Sequence, residues 1–210
     1  MRIRVNFSKT EVIKYSSHLD LYRAWERWLR RAELPLTYSK GFKPHPHINL
    51  ACALPLGFTS ENDLVDIWLE NTVPLDDIYQ GLIHTAPPGI SINYVEEIPS
   101  QTPSLQKQLI ASEYIITLHK PVTELQDKIN LLKNSETIWR ERNGKKYNLR
   151  PLILEITSQQ EPISGKQQLI IKLKAQANAT GRPDEILLSL GIDPQNTKIH
   201  RQKLILDDNS

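Results

Sequence analysis

Apolar and polar residues alternate at the start of the chain. Arg2-Ile3-Arg4-Val5-Asn6-Phe7 has the period of two expected of a half-buried strand. The period then lengthens. Leu21, Trp25, Trp28, Leu29 and Ala32 recur on one helical stripe, and Ser17 with Asp20 has the spacing of a capping box. A helix is therefore predicted over residues 18–32, closed by Pro35. Short extended pieces follow at 36–38 and 48–51, then a clearer strand at 64–69. A second helix is predicted over 75–85, stopped by Pro87-Pro88-Gly89, and 90–98 alternates again as a strand.

Strand, helix, two strands, helix, strand is the βαββαβ order of a ferredoxin-like unit. Pro99 and Pro103 bound a stretch that reads as a linker. Beyond it come a strand at 113–118, a helix at 122–132, and strands at 137–142 and 147–157 joined by a tight Asn143-Gly144 turn. A strand at 169–177, a short helix at 182–190 and a closing strand at 198–206 complete the chain. This repeats the first order with one extra strand, although no sequence repeat is visible. The predicted fold is α+β: two tandem ferredoxin-like (βαββαβ) units with antiparallel sheets, over residues 1–100 and 104–210.

Charge is segregated within a net +2. Residues 1–50 hold ten Lys/Arg against four Asp/Glu, residues 51–105 hold none against eight, and residues 106–210 hold sixteen against twelve. One basic and one acidic face would attract a polyanion such as RNA and a basic partner respectively; the plainer reading is two solvated faces. The single cysteine, Cys52, excludes an intramolecular disulfide framework and fits a reducing compartment. With no signal-like segment and no long apolar run, a cytoplasmic protein without membrane contact is expected.

The densest chemistry lies between residues 15 and 57. Arg23, Arg27, Arg30 and Arg31 fall largely opposite the apolar stripe of the first helix, with Glu26 placed to pair with Arg30. Arginine forks bind phosphate oxygens bidentately, and the aromatics Tyr15, Tyr22, Tyr38 and Phe42 could stack on unpaired bases. After the helix comes Lys40-Gly41-Phe42-Lys43-Pro44-His45-Pro46-His47. Gly41 would permit backbone geometry closed to other residues. Pro44 and Pro46 stiffen the loop so that Lys43, His45 and His47 are presented. The plainer alternatives are a core stripe with a solvated face, and a rigid turn.

Other chemistry is poorly supported. His45 and His47 with His18 or Cys52 are zinc-ligand types, but no dense set completes a site, so no metal and no cofactor are expected. The sequence has no Gly-x-Gly-x-x-Gly, Walker loop, Gly-x-Ser-x-Gly or Cys-x-x-Cys motif. It also lacks the three cysteines of a radical SAM enzyme's cluster. His18, in the helix's first turn, is the one weak candidate for a catalytic base, and its plainer reading is a packed histidine.

Phe7-Ser8-Lys9-Thr10, Ser17-His18-Leu19-Asp20-Leu21, the stretch from Tyr38 to Pro46, and Ala53-Leu54-Pro55-Leu56-Gly57 together resemble the radical SAM-linked protein family. Asn148-Leu149-Arg150-Pro151 and Arg182-Pro183 fit it more loosely. These are bacterial domains found beside or fused to the carboxyl end of B12-binding-type radical SAM proteins. The chain departs from the family pattern at His45 and His47, where Arg or Lys is more usual, which favours a loop selected for charge or hydrogen-bond donors.

The resemblance implies an accessory module working with a radical SAM partner, more in keeping with binding than with catalysis. The expected RNA or polyanion contacts are Arg23, Arg27, Arg30, Tyr38, Lys40, Gly41, Phe42, Lys43, Pro44, His45, Pro46 and His47, with no sequence-specific DNA binding. Two alternatives stand beside it. One is a metal-independent endoribonuclease, by analogy with tandem ferredoxin-like CRISPR repeat-processing enzymes, with His18 as base and Lys40 or Lys43 stabilising the oxyanion. The other is a pure protein adaptor docking its partner through the acidic segment, including Asp63, Asp66 and Glu70.

Overall fold

The computed structural model describes residues 1–142, 144–176 and 178–207. Asn143 of the expected tight turn, Ala177 at the end of an expected strand, and Asp208 lie outside the described residues. The chain divides into two compact units, Met1–Leu109 together with the chain from Leu206, and Ile110–Ile205.

In the first unit the order is β1 (Arg2–Lys9), α1 (His18–Arg31), β2 (Ile48–Leu50), β3 (Thr59–Trp68), α2 (Leu75–His84), β4 (Ile90–Glu97) and a one-turn α3 (Leu105–Gln108). β1 lies between β3 and β4, antiparallel to both, and β2 pairs with the far side of β3. The alternation of β1 sorts its side chains. Ile3, Val5 and Phe7 are buried with Val65 and Ile67 of β3, beneath Leu21, Trp25, Trp28 and Leu29 of α1 and Ile78 and Leu82 of α2. Phe7 meets Trp25 edge-on at 5.0 Å, and Trp25 packs on Trp28 at 4.5 Å. The Trp28 indole N–H donates to the Leu82 carbonyl and the Thr85 hydroxyl, at 3.0 and 3.1 Å, so a large buried ring keeps its polar atom satisfied.

The capping box forms as predicted. Ser17 Oγ accepts from the Asp20 N–H, and the Asp20 carboxylate accepts from the Ser17 N–H, each at 3.1 Å. The strand expected at 64–69 begins earlier, at Thr59, and the piece at 36–38 makes only isolated bridges, Leu36 with Leu69 and Tyr38 with Pro46.

The second unit runs β5 (Leu109–Leu118), α4 (Leu125–Asn134), β6 (Trp139–Arg142), β7 (Lys145–Asn148), β8 (Ile153–Gln160), β9 (Gln167–Gln176), β10 (Ala179–Thr180), α5 (Pro183–Ser189) and β11 (Thr197–Leu206). β9 pairs antiparallel with β5, β8 and β10. Its alternate residues Leu169, Ile171 and Leu173 are buried, as are Ile129 of α4 and Ile186 and Leu187 of α5. Among the described residues β6 and β7 pair only with each other, as a separate ribbon.

Two tandem ferredoxin-like units with antiparallel sheets are therefore not what forms. The protein is mixed α/β, with a nine-stranded sheet, a two-stranded ribbon and five α-helices among the described residues. The physical reason is that alternation identifies strands but does not specify which strands hydrogen-bond, nor how each exposed edge is satisfied. The second unit shows this directly: β6 and β7 leave the sheet, and five strands rather than the expected three separate α4 from α5. The endoribonuclease analogy rested on the tandem arrangement and loses its ground with it.

Candidate nucleic-acid interface

Packing of α1 sets the first half of the site. With Leu21, Trp25, Trp28 and Leu29 buried, Arg23, Arg27 and Arg30 at i, i+4 and i+7 form one exposed stripe. Arg31 does not belong to it. Its guanidinium donates to the Thr85 carbonyl at 3.0 Å, at the C-terminal end of α2, where a cation is favoured by the unpaired carbonyls.

The loop supplies the second half. At its base the Ser39 N–H donates to the His45 carbonyl at 2.9 Å and the His45 N–H to Ser39 Oγ at 3.1 Å. The His47 N–H donates to the Thr37 carbonyl at 2.7 Å, and the Trp68 N–H to the His47 carbonyl at 3.1 Å. Pro46 is buried within this ladder, while Tyr38 is exposed. Lys40, Gly41, Phe42, Lys43 and Pro44 form an exposed tip, with the Phe42 ring wholly in solvent. Gly41 has neither a positive φ nor any atom within 4 Å of where a Cβ would stand, so its backbone does not demand glycine.

A side-chain contact joins helix and loop. Glu26, 8% exposed, does not take the Arg30 partner expected of it; His45 Nδ1 meets Glu26 Oε1 at 2.8 Å. A carboxylate only accepts, so the imidazole carries its proton on Nδ1. Because Glu26 is three residues after Arg23 and four before Arg30, this contact holds the loop base against the flank of the arginine stripe.

His47 behaves differently. Its ring stacks on Trp68 at 4.0 Å with 10° between planes, and the Arg2 guanidinium lies 4.9 Å from the same indole. Burial, and then the nearby Arg2 charge, hold its pKa below the usual histidine value, so at neutral pH it brings a ring and a hydrogen-bonding group rather than a charge. His18 is exposed on the first turn of α1. Among the described residues no group of three or more His, Cys, Asp or Glu is placed to hold a metal ion.

Sequence reasoning missed what lies beneath the loop. Arg2 and Arg4, on the face of β1 opposite the core, are buried around Asp66 of β3, which is fully enclosed. Arg2 Nη2 donates to Asp66 at 2.6 Å, Arg4 Nε and Nη2 at 2.8 and 3.1 Å, and Arg2 also reaches the carbonyls of Thr102 and Pro103. The signal was present as arginines alternating in one strand and an acid in another, but only the register Arg4↔Asp66 connects them. Lys9 is likewise buried and donates to the carbonyls of Lys14 and Ser16 at 3.2 and 3.1 Å, holding the turn that feeds α1. Asp63 and Asp66 are both buried, so two of the three acids offered for adaptor docking do not face solvent.

Fold and site thus define a mixed α/β protein with a basic helix–loop surface. Residues 2–183 match the family model described as "Uncharacterized protein conserved in bacteria (DUF2344)", and the chain belongs to that family. No curated protein matches the sequence. Among solved structures the chain is similar to one in the crystal structure of a Cbf5-Nop10-Gar1 complex, with a TM-score of 0.51 and 10% identity over 99% of this chain and 50% of that one. It is also similar to a chain of an H/ACA RNP bound to a substrate RNA containing 2'-deoxyuridine, with a TM-score of 0.48, 12% identity, and 99% and 49% coverage. At such identities the likeness concerns the fold, and this chain spans about half the length of the chains it matches. No helix among the described residues is long and apolar enough to cross a membrane.

Proposed function

We propose that the chain is an accessory module that binds single-stranded RNA through the arginine stripe of α1 and the loop tip, and that it serves a radical SAM partner. The Glu26–His45 contact carries this reading, because it sets a stiff loop with two lysines and a solvent-facing aromatic ring beside three exposed arginines. Arg23, Arg27, Arg30, Lys40 and Lys43 neutralise phosphates, and Phe42 offers a stacking face to an unpaired base. The radical SAM partner follows from the family resemblance of the same motifs.

Fluorescence anisotropy with a short single-stranded RNA tests the interface. Reversing Arg23, Arg27 and Arg30 to Glu lowers affinity by at least about tenfold, as lost charge-assisted contacts require. Reversing the exposed Lys120 of the second unit to Glu serves as a control. Equal affinity in the triple variant and the unaltered protein overturns the reading. Recovery of a radical SAM protein with the tagged chain from its native cells tests the partner separately.

A further inference from the structure

A second basic surface lies within the second unit. In the β6–β7 ribbon, Arg140 pairs with Tyr147 and Arg142 with Lys145, which puts these four side chains on one face. Arg140 Nε donates to Glu185 Oε2 of α5 at 2.7 Å and braces the ribbon on that side. Further along the same face a cavity of about 560 Å³ is lined by Arg142, Lys145, Tyr147, Asn148, Asn178 and Thr180, with no acid among the described lining residues.

Its walls are held in place. Leu152 also lines it, and Gly181 packs so closely there that a Cβ would stand 3.2 Å from the Leu152 carbonyl oxygen and 3.1 Å from Leu173 Cβ. Asn148 Oδ1 accepts from the Ile138 and Arg150 N–H groups at 2.9 and 3.0 Å, which fixes its amide. Thr180 Oγ1 donates to the Gln176 carbonyl at 2.9 Å. Burial, reinforced by Glu185, raises the Tyr147 pKa, so the phenol stays protonated and remains a donor.

Two cations with no acid among the described lining residues, an aromatic ring and two amides around a space of this size match one ligand chemistry. We propose that this cavity holds a phosphate-bearing nucleotide, with the phosphate on Arg142 and Lys145 and the base against Tyr147 and the Asn148 and Asn178 amides. The nucleotide is either free or one unit of an RNA strand. The site uses residues of the second unit only and does not rest on the helix–loop reading.

Calorimetric titration of the full chain with uridine 5′-monophosphate, inorganic phosphate and a short oligouridylate distinguishes the cases. In the Arg142→Glu/Lys145→Glu variant the mononucleotide loses at least about tenfold in affinity if the ligand is free. If the ligand is a strand unit, the oligonucleotide shows that loss instead. In either case Lys120→Glu, which lines neither surface, leaves binding unchanged, and the mononucleotide arm reads the cavity separately from the α1 interface. The milder Arg142→Gln/Lys145→Gln variant, checked by circular dichroism, separates lost binding from lost folding. Inorganic phosphate binding as tightly as the nucleotide, or affinities for nucleotide and oligonucleotide that ignore both variants, overturns the proposal.

Discussion

Asp66 is the residue on which the sheet face beneath the loop depends. It is enclosed between the guanidinium groups of Arg2 and Arg4, so its carboxylate charge is what makes two buried cations tolerable. Asp66→Asn keeps the shape and removes the charge. It is expected to cost about 3–5 kcal/mol, read as a fall in the urea midpoint at unchanged slope. His47 gives a second residue-level prediction. The unfolded chain takes up its proton near the ordinary pKa of ~6.5, whereas the folded ring on Trp68 resists protonation until lower pH. Stability is therefore complete above that range and declines as pH falls through it toward the folded pKa. In His47→Gln the thermal midpoint should fall less steeply between neutral and mildly acid pH. Neither residue's role was legible in the sequence. An arginine at every second position reads equally well as a solvated face, and His47 reads as a presented cation until Trp68, twenty-one positions away, is seen beneath it.

At the scale of the element, α1 was the most legible part of the chain because its determinants are local. Its cap, apolar stripe and proline stop all lie within about five turns, and the helix forms within a residue of its expected end. Ser17→Ala should cost ~1 kcal/mol in chemical denaturation by orphaning the Asp20 N–H. The loop was only half legible. Its prolines predicted a stiff, outward tip, and residues 40–44 are indeed exposed, but its attachment depends on Glu26, a residue that helical spacing assigns to Arg30. His45→Ala removes that attachment. Exchange of the Ser39 amide, which donates to the His45 carbonyl, should then speed up on the order of tenfold, the equivalent of one charge-assisted bond. Unchanged exchange would mean that the backbone ladder alone holds the loop.

For the whole molecule, the strands could be located from alternation but their partnership could not. Strand pairing joins residues such as Arg2 and Trp68 that no short window contains, and the β6–β7 ribbon looks in sequence like any other pair of sheet strands. The charge blocks suffered the same ambiguity. The acidic count of residues 51–105 includes Asp63 and Asp66, which are buried, whereas Arg23, Arg27 and Arg30 of the basic block remain exposed. The surface consequence is a basic helix–loop face, and the proposed RNA binding requires that face to make electrostatic contact with phosphates. The most direct measurement is the slope of log affinity for single-stranded RNA against log salt concentration, for the unaltered protein and for Arg23→Gln/Arg27→Gln/Arg30→Gln. Each lost phosphate contact removes about 0.7 from a single-strand slope, so the triple variant should be shallower by about 2. Parallel slopes in the two proteins, or no salt dependence in either, would contradict it.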